Sequence, residues 1–288
     1  YAYCPENLKF VADIELANGI NRFVIHESAH QPSDVHVPGL SLGGCGQWFN
    51  RHDTWAEMAN VWTDYMARSC FMLQAGKNVA DILYYYGEDN SVCSEFGRFP
   101  SMPKGYEWDY CNPHALINAI NPRNGKLVSK GGTKYEMLLM DRNMEYVSVK
   151  VLRRIAELAD AGVVISAVKP QYAASLADDK AEFDALVADI FESGRKNVYV
   201  DTPIEEVLKS EGLEPDVIMD PDMKYLHRTM KNTEIYWINK AAKDYRSVKL
   251  SFRTNGMKPT LWHPDTGLIE DVTYHIDGDR TVVELDMV

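Results

Sequence analysis

Two histidines, a carboxylate, an amide and an indole crowd into one stretch of this chain: His26, Glu27, His30, Gln31 and Trp48. An imidazole offers one donor and one acceptor, and the Gln31 amide offers the same pairing, so the group suits neighbouring hydroxyls on a neutral ligand. His26 and His30 flank a chain reversal at Pro32 and read either as ligand contacts or as satisfied structural histidines. Glu27 reads as a general base, as an acceptor for ligand hydroxyls, or as a surface acid beside them. Trp48 and Phe49 could stack on a ring, or could be core aromatics beside a helix start.

Such side chains need a scaffold to aim them. Phe23, Val24 and Ile25 form a short apolar run that empties into the polar cluster, which is how a (β/α) barrel builds its active face at strand ends. The pattern predicts a helix over 5–17 that stops at Asn18-Gly19, and a strand over 21–26. A glycine-rich loop, Pro38 to Arg51, leads to a second helix over 54–75. Thr54 and Glu57 have the spacing of a capping box, and Gly76 ends the helix. Its apolar stripe includes Trp55, Met58, Trp62, Met66 and Leu73. One helix-strand-helix cannot close a barrel, so the helix is expected to dock on the middle domain, over 79–219, or on a second chain. The strand is expected to pair elsewhere or stay irregular.

Beyond residue 78 the period changes twice. Strands over 81–86, 135–141, 163–168 and 197–200 alternate with helices over 148–161 and 179–192 and a third starting at Thr202-Pro203. This alternation predicts a parallel sheet with helices on both faces. From 224 onward short strands, at 234–239, 248–253, 261, 272–276 and 281–285, are separated by Asn255-Gly256, Asp265-Thr266-Gly267 and Asp277-Gly278 turns. The expected architecture is α/β, with a flavodoxin-like or amidotransferase-like three-layer domain over 79–219. The last helix-strand-helix of a (β/α)8 barrel (1–78) would precede it, and the start of a β-sandwich (220–288) would follow.

The strand ends of the α/β block argue against chemistry there. Gly87-Glu88-Asp89-Asn90 would repel a flavin phosphate. Glu88, Asp89, Asp141 and Lys169 imitate a phospho-receiver, but Lys169 follows the strand immediately after Asp141, which is the wrong topology. No cysteine sits on a strand-to-helix turn after Val163–Val168, as an amidotransferase nucleophile would require. The block reads as a structural spacer.

Bulk properties narrow the classes further. The net charge of −12 over 288 residues opposes a nucleic-acid partner. No apolar run is long enough to predict a membrane span. Cys4, Cys45, Cys70, Cys93 and Cys111 lack framework or zinc spacing and read mainly as buried thiols. No segment carries the acidic loop of a calcium site, so no metal ligands and no cofactor are assigned in this chain. The start at Tyr1, with neither Met nor a leader, suggests an excised segment.

Gly19-Ile20-Asn21-Arg22-Phe23-Val24-Ile25-His26, Ala29-His30-Gln31-Pro32, Thr54-Trp55, Val79 to Glu88 and Leu261-Trp262 together resemble glycoside hydrolase family 106, the bacterial α-L-rhamnosidases. Those enzymes are far longer, so the resemblance implies a C-terminal portion whose parent cleaves α-L-rhamnosides of plant polysaccharides by metal-assisted inverting hydrolysis. It also implies calcium at the parent's centre, a catalytic acid and base on earlier barrel strands, and a periplasmic or secreted location. The family pattern has a small polar residue where Glu27 stands, and Trp-Asp-Pro where this chain has Trp262-His263-Pro264. The expected partner is a carbohydrate, with self-association through the truncated segment, and the chain alone should be inactive. The competing reading is a non-catalytic carbohydrate-binding or scaffold protein that kept the fold.

Overall fold

The computed structural model describes residues 3–92, 100–240 and 244–287. The chain forms two compact units, one made of residues 1–76 with 219–288 and the other of residues 77–218. The two outer blocks of the sequence therefore share one unit.

In the first unit, α1 (Pro5–Ala17) begins with proline at its first turn, where the missing N–H costs nothing. It ends at Asn18, followed by Gly19 at φ 96°, a conformation open to glycine without strain. The second helix, α2 (Ala59–Gln74), is preceded by a 3-10 turn over Ala56–Met58. The capping box expected at Thr54 is not formed, because the 3-10 turn displaces the helix start to a position without a side-chain cap. Trp62 and Tyr65 from α2 and Ala12 from α1 form a buried cluster with Phe23, Phe49 and Trp237 packed around it. Leu16 and Leu73 meet Leu226 in a second cluster, so the apolar face of α2 expected to seek the middle domain or a second chain is covered by residues beyond 219 in its own unit.

The expected strand over 21–26 is not one. Its residues lack strand structure, and Val24 is 93% exposed. A strand persists only where a neighbour takes its N–H and C=O groups. The exchange seen here lies at its far end, where Gln47 N–H donates to His26 O and Glu27 N–H donates to Gln47 O.

The second unit is built on a parallel five-stranded sheet: β1 (Ile82–Tyr85), β2 (Trp108–Cys111), β3 (Met137–Met140), β4 (Val164–Ala167) and β5 (Val198–Val200). Their spatial order is β2-β1-β3-β4-β5, the flavodoxin-like doubly wound order. The pleat sorts side chains by parity. Leu83, Tyr85, Leu138, Met140 and Ile165 face a core shared with α3 (Pro113–Asn118), α4 (Val149–Asp160) and α5 (Lys180–Val187). Ile82, Tyr84, Met137 and Leu139 face Ile204, Val207 and Leu208 of α6 (Ile204–Ser210). Each fully buried aliphatic side chain here contributes about 1.5–3 kcal/mol of transfer free energy.

Sequence reading missed β2 and α3. The run Trp-Asp-Tyr-Cys alternates too briefly to stand out from a loop. Asn112, which caps α3 by accepting from Ala115 N–H at 2.7 Å, was legible with Pro113 as a helix start. The helix expected to start at Thr202-Pro203 begins at Ile204 without a side-chain cap. Pro203 is the cap residue, and the Thr202 hydroxyl donates back to Val200 O at 3.2 Å.

The remainder of the first unit is antiparallel. A hairpin of β6 (Met223–Met230) and β7 (Thr233–Lys240) carries Leu226 and Trp237 to the two helices. Arg228 of β6 donates to Ala75 O and Gly76 O at 2.5 and 3.0 Å, closing the end of α2. Of these two strands only 234–239 was anticipated. Further along, β8 (Arg246–Phe252) pairs antiparallel with the final strand, Arg280–Met287. The turn Trp262 to Leu268 is clasped by Arg68, whose guanidinium donates to Pro264 O and Asp265 O at 3.0 and 3.1 Å.

Candidate functional site

The polar cluster lies on a loop system braced by two buried amides. Gln31 is 6% exposed. Its Nε2 donates to Ala29 O and Leu40 O at 3.2 and 2.7 Å, while its Oε1 accepts from Leu40 N–H at 2.8 Å. Both side-chain donors of Gln31 are thereby committed to backbone, so this residue acts as a cross-piece between the two arms of the loop. Gly39 makes the approach possible: a Cβ there would overlap Gln31 Oε1, and its φ is 91°.

Gln47 repeats the device at the other end of the loop. It accepts from Tyr3 N–H at 3.0 Å and donates to Tyr3 O and Trp48 O at 2.9 and 2.6 Å. Sequence reasoning passed over Gln47. The available signal was its place directly after Gly43-Gly44-Cys45-Gly46, a run that permits close backbone approach.

On this frame His26 and His30 are exposed, and neither imidazole hydrogen-bonds to a described residue. The His26 ring sits so close to the loop that a Cβ on Gly46 would collide with its Nδ1. The His26–Glu27 peptide is cis, as is Val37–Pro38. Glu27 is half-buried, and its Oε1 accepts from Leu42 N–H at 2.8 Å. Trp48 is half-buried with its indole nitrogen enclosed and unpartnered among the described residues, so only part of its ring reaches solvent.

Arg51 fixes the outer loop, donating to Asp34 Oδ1 and Gln31 O at 2.9 and 2.7 Å. A cleft of about 310 Å³ opens between Gln31–Ser33 and His36–Leu40. The structure therefore brings His26, Glu27 and the glycine-rich loop together, with His30 and Gln31 following on the same arm.

The strand ends of the second unit use their polar groups differently. Asp141, 2% exposed, accepts from Asn143 N–H at 2.7 Å and from Asn90 Nδ2 at 2.9 Å. Glu88 accepts from Ser148 N–H at 2.6 Å, and Asp89 from Glu145 N–H at 3.0 Å. Lys169 Nζ pairs instead with Glu192 at 2.9 Å. The carboxylates that imitate a phospho-receiver hold the loop leading into α4.

Burial, reinforced by the Asp13 carboxylate that its hydroxyl contacts, holds the Tyr65 phenol well above its usual range. Burial also pushes the Cys111 thiol up to about 12. The cysteines depart from expectation. Of the four described, Cys4 and Cys45 are exposed, Cys70 is half-buried and only Cys111 is buried. Cys93 lies outside the described residues. Cys4 is the cap residue of α1, and Cys45 lies in the glycine-rich loop.

The chain is thus a mixed α/β protein with a parallel sheet in one unit and a braced loop carrying exposed imidazoles in the other. Residues 1–276 match the α-L-rhamnosidase family of glycoside hydrolases, and the chain belongs to that family, glycoside hydrolase family 106. It superposes on a solved rhamnosidase from Novosphingobium sp. PP1Y with a TM-score of 0.92 and 35% identity, covering 99% of this chain and 29% of that one. It is 32% identical over 286 residues to a Formosa agariphila protein whose assigned name is that of a beta-glucuronidase, covering 96% of this chain and 24% of the relative. The chain thus spans about a quarter of the length of these two proteins.

Proposed function

We propose that this chain forms part of a glycoside hydrolase that acts on α-L-rhamnosides of plant polysaccharides, and that its first 78 residues complete one side of the sugar site of a (β/α)8 barrel. The observation that carries this reading is the contrast in hydrogen bonding within the loop. Gln31, Gln47 and Glu27 are spent on backbone, while the His26 and His30 imidazoles on the same frame remain open to solvent. Their donors and acceptors would engage vicinal sugar hydroxyls, and the accessible part of Trp48 would face the ring. Gln31 contributes by holding the loop.

Inverting hydrolysis needs two carboxyl groups about 6.5–9.5 Å apart across the scissile bond. Among the described carboxylates of this loop, Asp34 pairs with Arg51 and Asp53 accepts from Asn50 N–H, which leaves Glu27 as the candidate, and its Oε1 already holds Leu42 N–H. We therefore place the acid and base elsewhere in the parent and expect the isolated chain to be inactive. We propose that the family's calcium ion also binds elsewhere in the parent. Among the described residues no three His, Cys, Asp or Glu side chains gather to hold a metal. Residues 220–288 would open a β-sandwich, the second unit would serve as a spacer, and the parent would work in the periplasm or outside the cell.

The test is kinetic. The full-length protein should release aryl alcohol from an aryl α-L-rhamnoside and the isolated chain should not. The relative named for beta-glucuronidase motivates an aryl β-D-glucuronide in parallel. Turnover of the glucuronide alone would overturn the rhamnoside assignment.

A further inference from the structure

We propose that Glu27 is a positioning residue, which ties the glycine-rich loop to the His26 backbone and so sets the direction of the His26 imidazole. The inference rests on the reading of His26 as a sugar contact. Its geometry is an arc closed at both ends on one dipeptide. At one end, Glu27 Oε1 accepts from Leu42 N–H at 2.8 Å. At the other, Gln47 N–H donates to His26 O at 2.6 Å and Glu27 N–H donates to Gln47 O at 2.8 Å.

Between these anchors run Gly43, Gly44, Cys45 and Gly46, with Cys45 N–H turning back to Leu42 O at 3.3 Å. The arc passes close beside the imidazole, since a Cβ on Gly46 would collide with His26 Nδ1 and lie 2.5 Å from His26 O. Gln47 passes the restraint to Tyr3, whose N–H and C=O its buried amide brackets at 3.0 and 2.9 Å. A glycine arc has large conformational entropy when untethered. The Glu27 carboxylate is what fastens its Leu42 end back to the dipeptide. Without that bond, the arc can draw away from the imidazole, and the ring regains its rotamers.

A positioning carboxylate and a catalytic one respond differently to the amide. Glu27→Gln keeps an oxygen that can accept from Leu42 N–H but cannot exchange a proton; Glu27→Ala keeps neither. In the full-length protein, E27A should lower kcat/KM by about tenfold, through KM rather than kcat, and E27Q should restore most of the loss. If E27Q is as damaged as E27A and the loss lies in kcat, Glu27 is an acid or base and the proposal is overturned.

The isolated chain gives an independent arm by NMR. The Leu42 amide should resist hydrogen exchange in the wild type and in E27Q and exchange freely in E27A, with the His26 ring resonances shifting only in E27A. Equal Leu42 protection in all three would overturn the proposal. Leu42→Pro, which removes the donor and spares the carboxylate, should reproduce the His26 ring shifts of E27A and covers the case in which E27A fails to fold. Absence of rhamnosidase activity in the full-length wild type would defeat the functional reading alone, and the exchange experiment would still decide the role of Glu27.

Discussion

Two places in this chain set polar residues at the end of an apolar run, and they use them in opposite ways. After β1 and β3 the carboxylates of Glu88, Asp89 and Asp141 accept from backbone N–H groups of the loop before α4. After Phe23-Val24-Ile25, the amides and the carboxylate brace the loop, and the imidazoles of His26 and His30 are left to solvent. A sheet paired on both sides fixes its strand ends, and its polar groups then satisfy the tight turns that follow. The loop of the first unit has no such ladder to hold it and needs side chains in place of ladder bonds. The polar groups it does not need for itself are the ones available to a ligand.

If this comparison is right, stability and function should separate. The largest effect is expected from Met140→Ala, which empties a fully buried position directly before Asp141. It should cost about 2–5 kcal/mol in urea unfolding of the second unit. Asp141→Ala should cost about 1–3 kcal/mol in the same transition, because it strands the Asn143 N–H and the Asn90 amide. A neutral result would mean that this strand end is not braced and would reopen a chemical role for it.

Gly39→Ala tests the other bracing device. The new methyl would overlap Gln31 Oε1 at a backbone φ of 91°, and a loss of about 1–3 kcal/mol is expected. The change should appear as loss of amide protection at Leu40, without change in the parallel sheet.

The thiols report on the same contrast. At pH 8 an alkylating reagent should modify Cys45 far faster than Cys111, whose thiol burial holds near 12 against an ordinary 9.0. The sign for stability follows. Below pH 9 the thiol is neutral in both states and its packing is fully available. Above that the unfolded thiol ionises while the folded one does not, so this contribution is lost as pH climbs towards 12. Unfolding midpoints that hold steady from about pH 8 to about pH 11 would contradict this burial.

The smallest effects on folding are expected from His26→Ala and His30→Ala, each within about 0.5 kcal/mol of wild type. Their effect on rhamnoside turnover by the full-length protein should nevertheless exceed that of Asp141→Ala. A His26→Ala protein that unfolds early but turns over normally would reverse the comparison, making the imidazole structural.

Much of the second unit was legible in the sequence, because a buried parallel strand advertises itself. Ile82 to Tyr85 and Met137 to Met140 are apolar on both faces, and α4 shows a stripe of Val151, Leu152, Ile155 and Leu158 that its burial reproduces. Trp108–Cys111 escaped because an edge strand is half-exposed and carries Asp109 within it. The family, too, was legible, since the motifs from Gly19 to Trp262 are local words.

In the first unit the residue types of the candidate site could be named from the sequence, but their division of labour could not. Val24 and Ile25 have the composition of a strand, yet a strand exists only when another chain segment accepts its hydrogen bonds. His26, Gln31 and Glu27 look equally suited to a ligand in one dimension. Local sequence chose those side chains and the glycines that let backbone approach them. Only the tertiary fold, by bringing Leu40, Leu42 and Gln47 back to the end of the apolar run, decided which would be consumed by backbone and which would stay open. Such pairings depend on loop closure, and neither the spacing nor the identity of neighbouring residues encodes them.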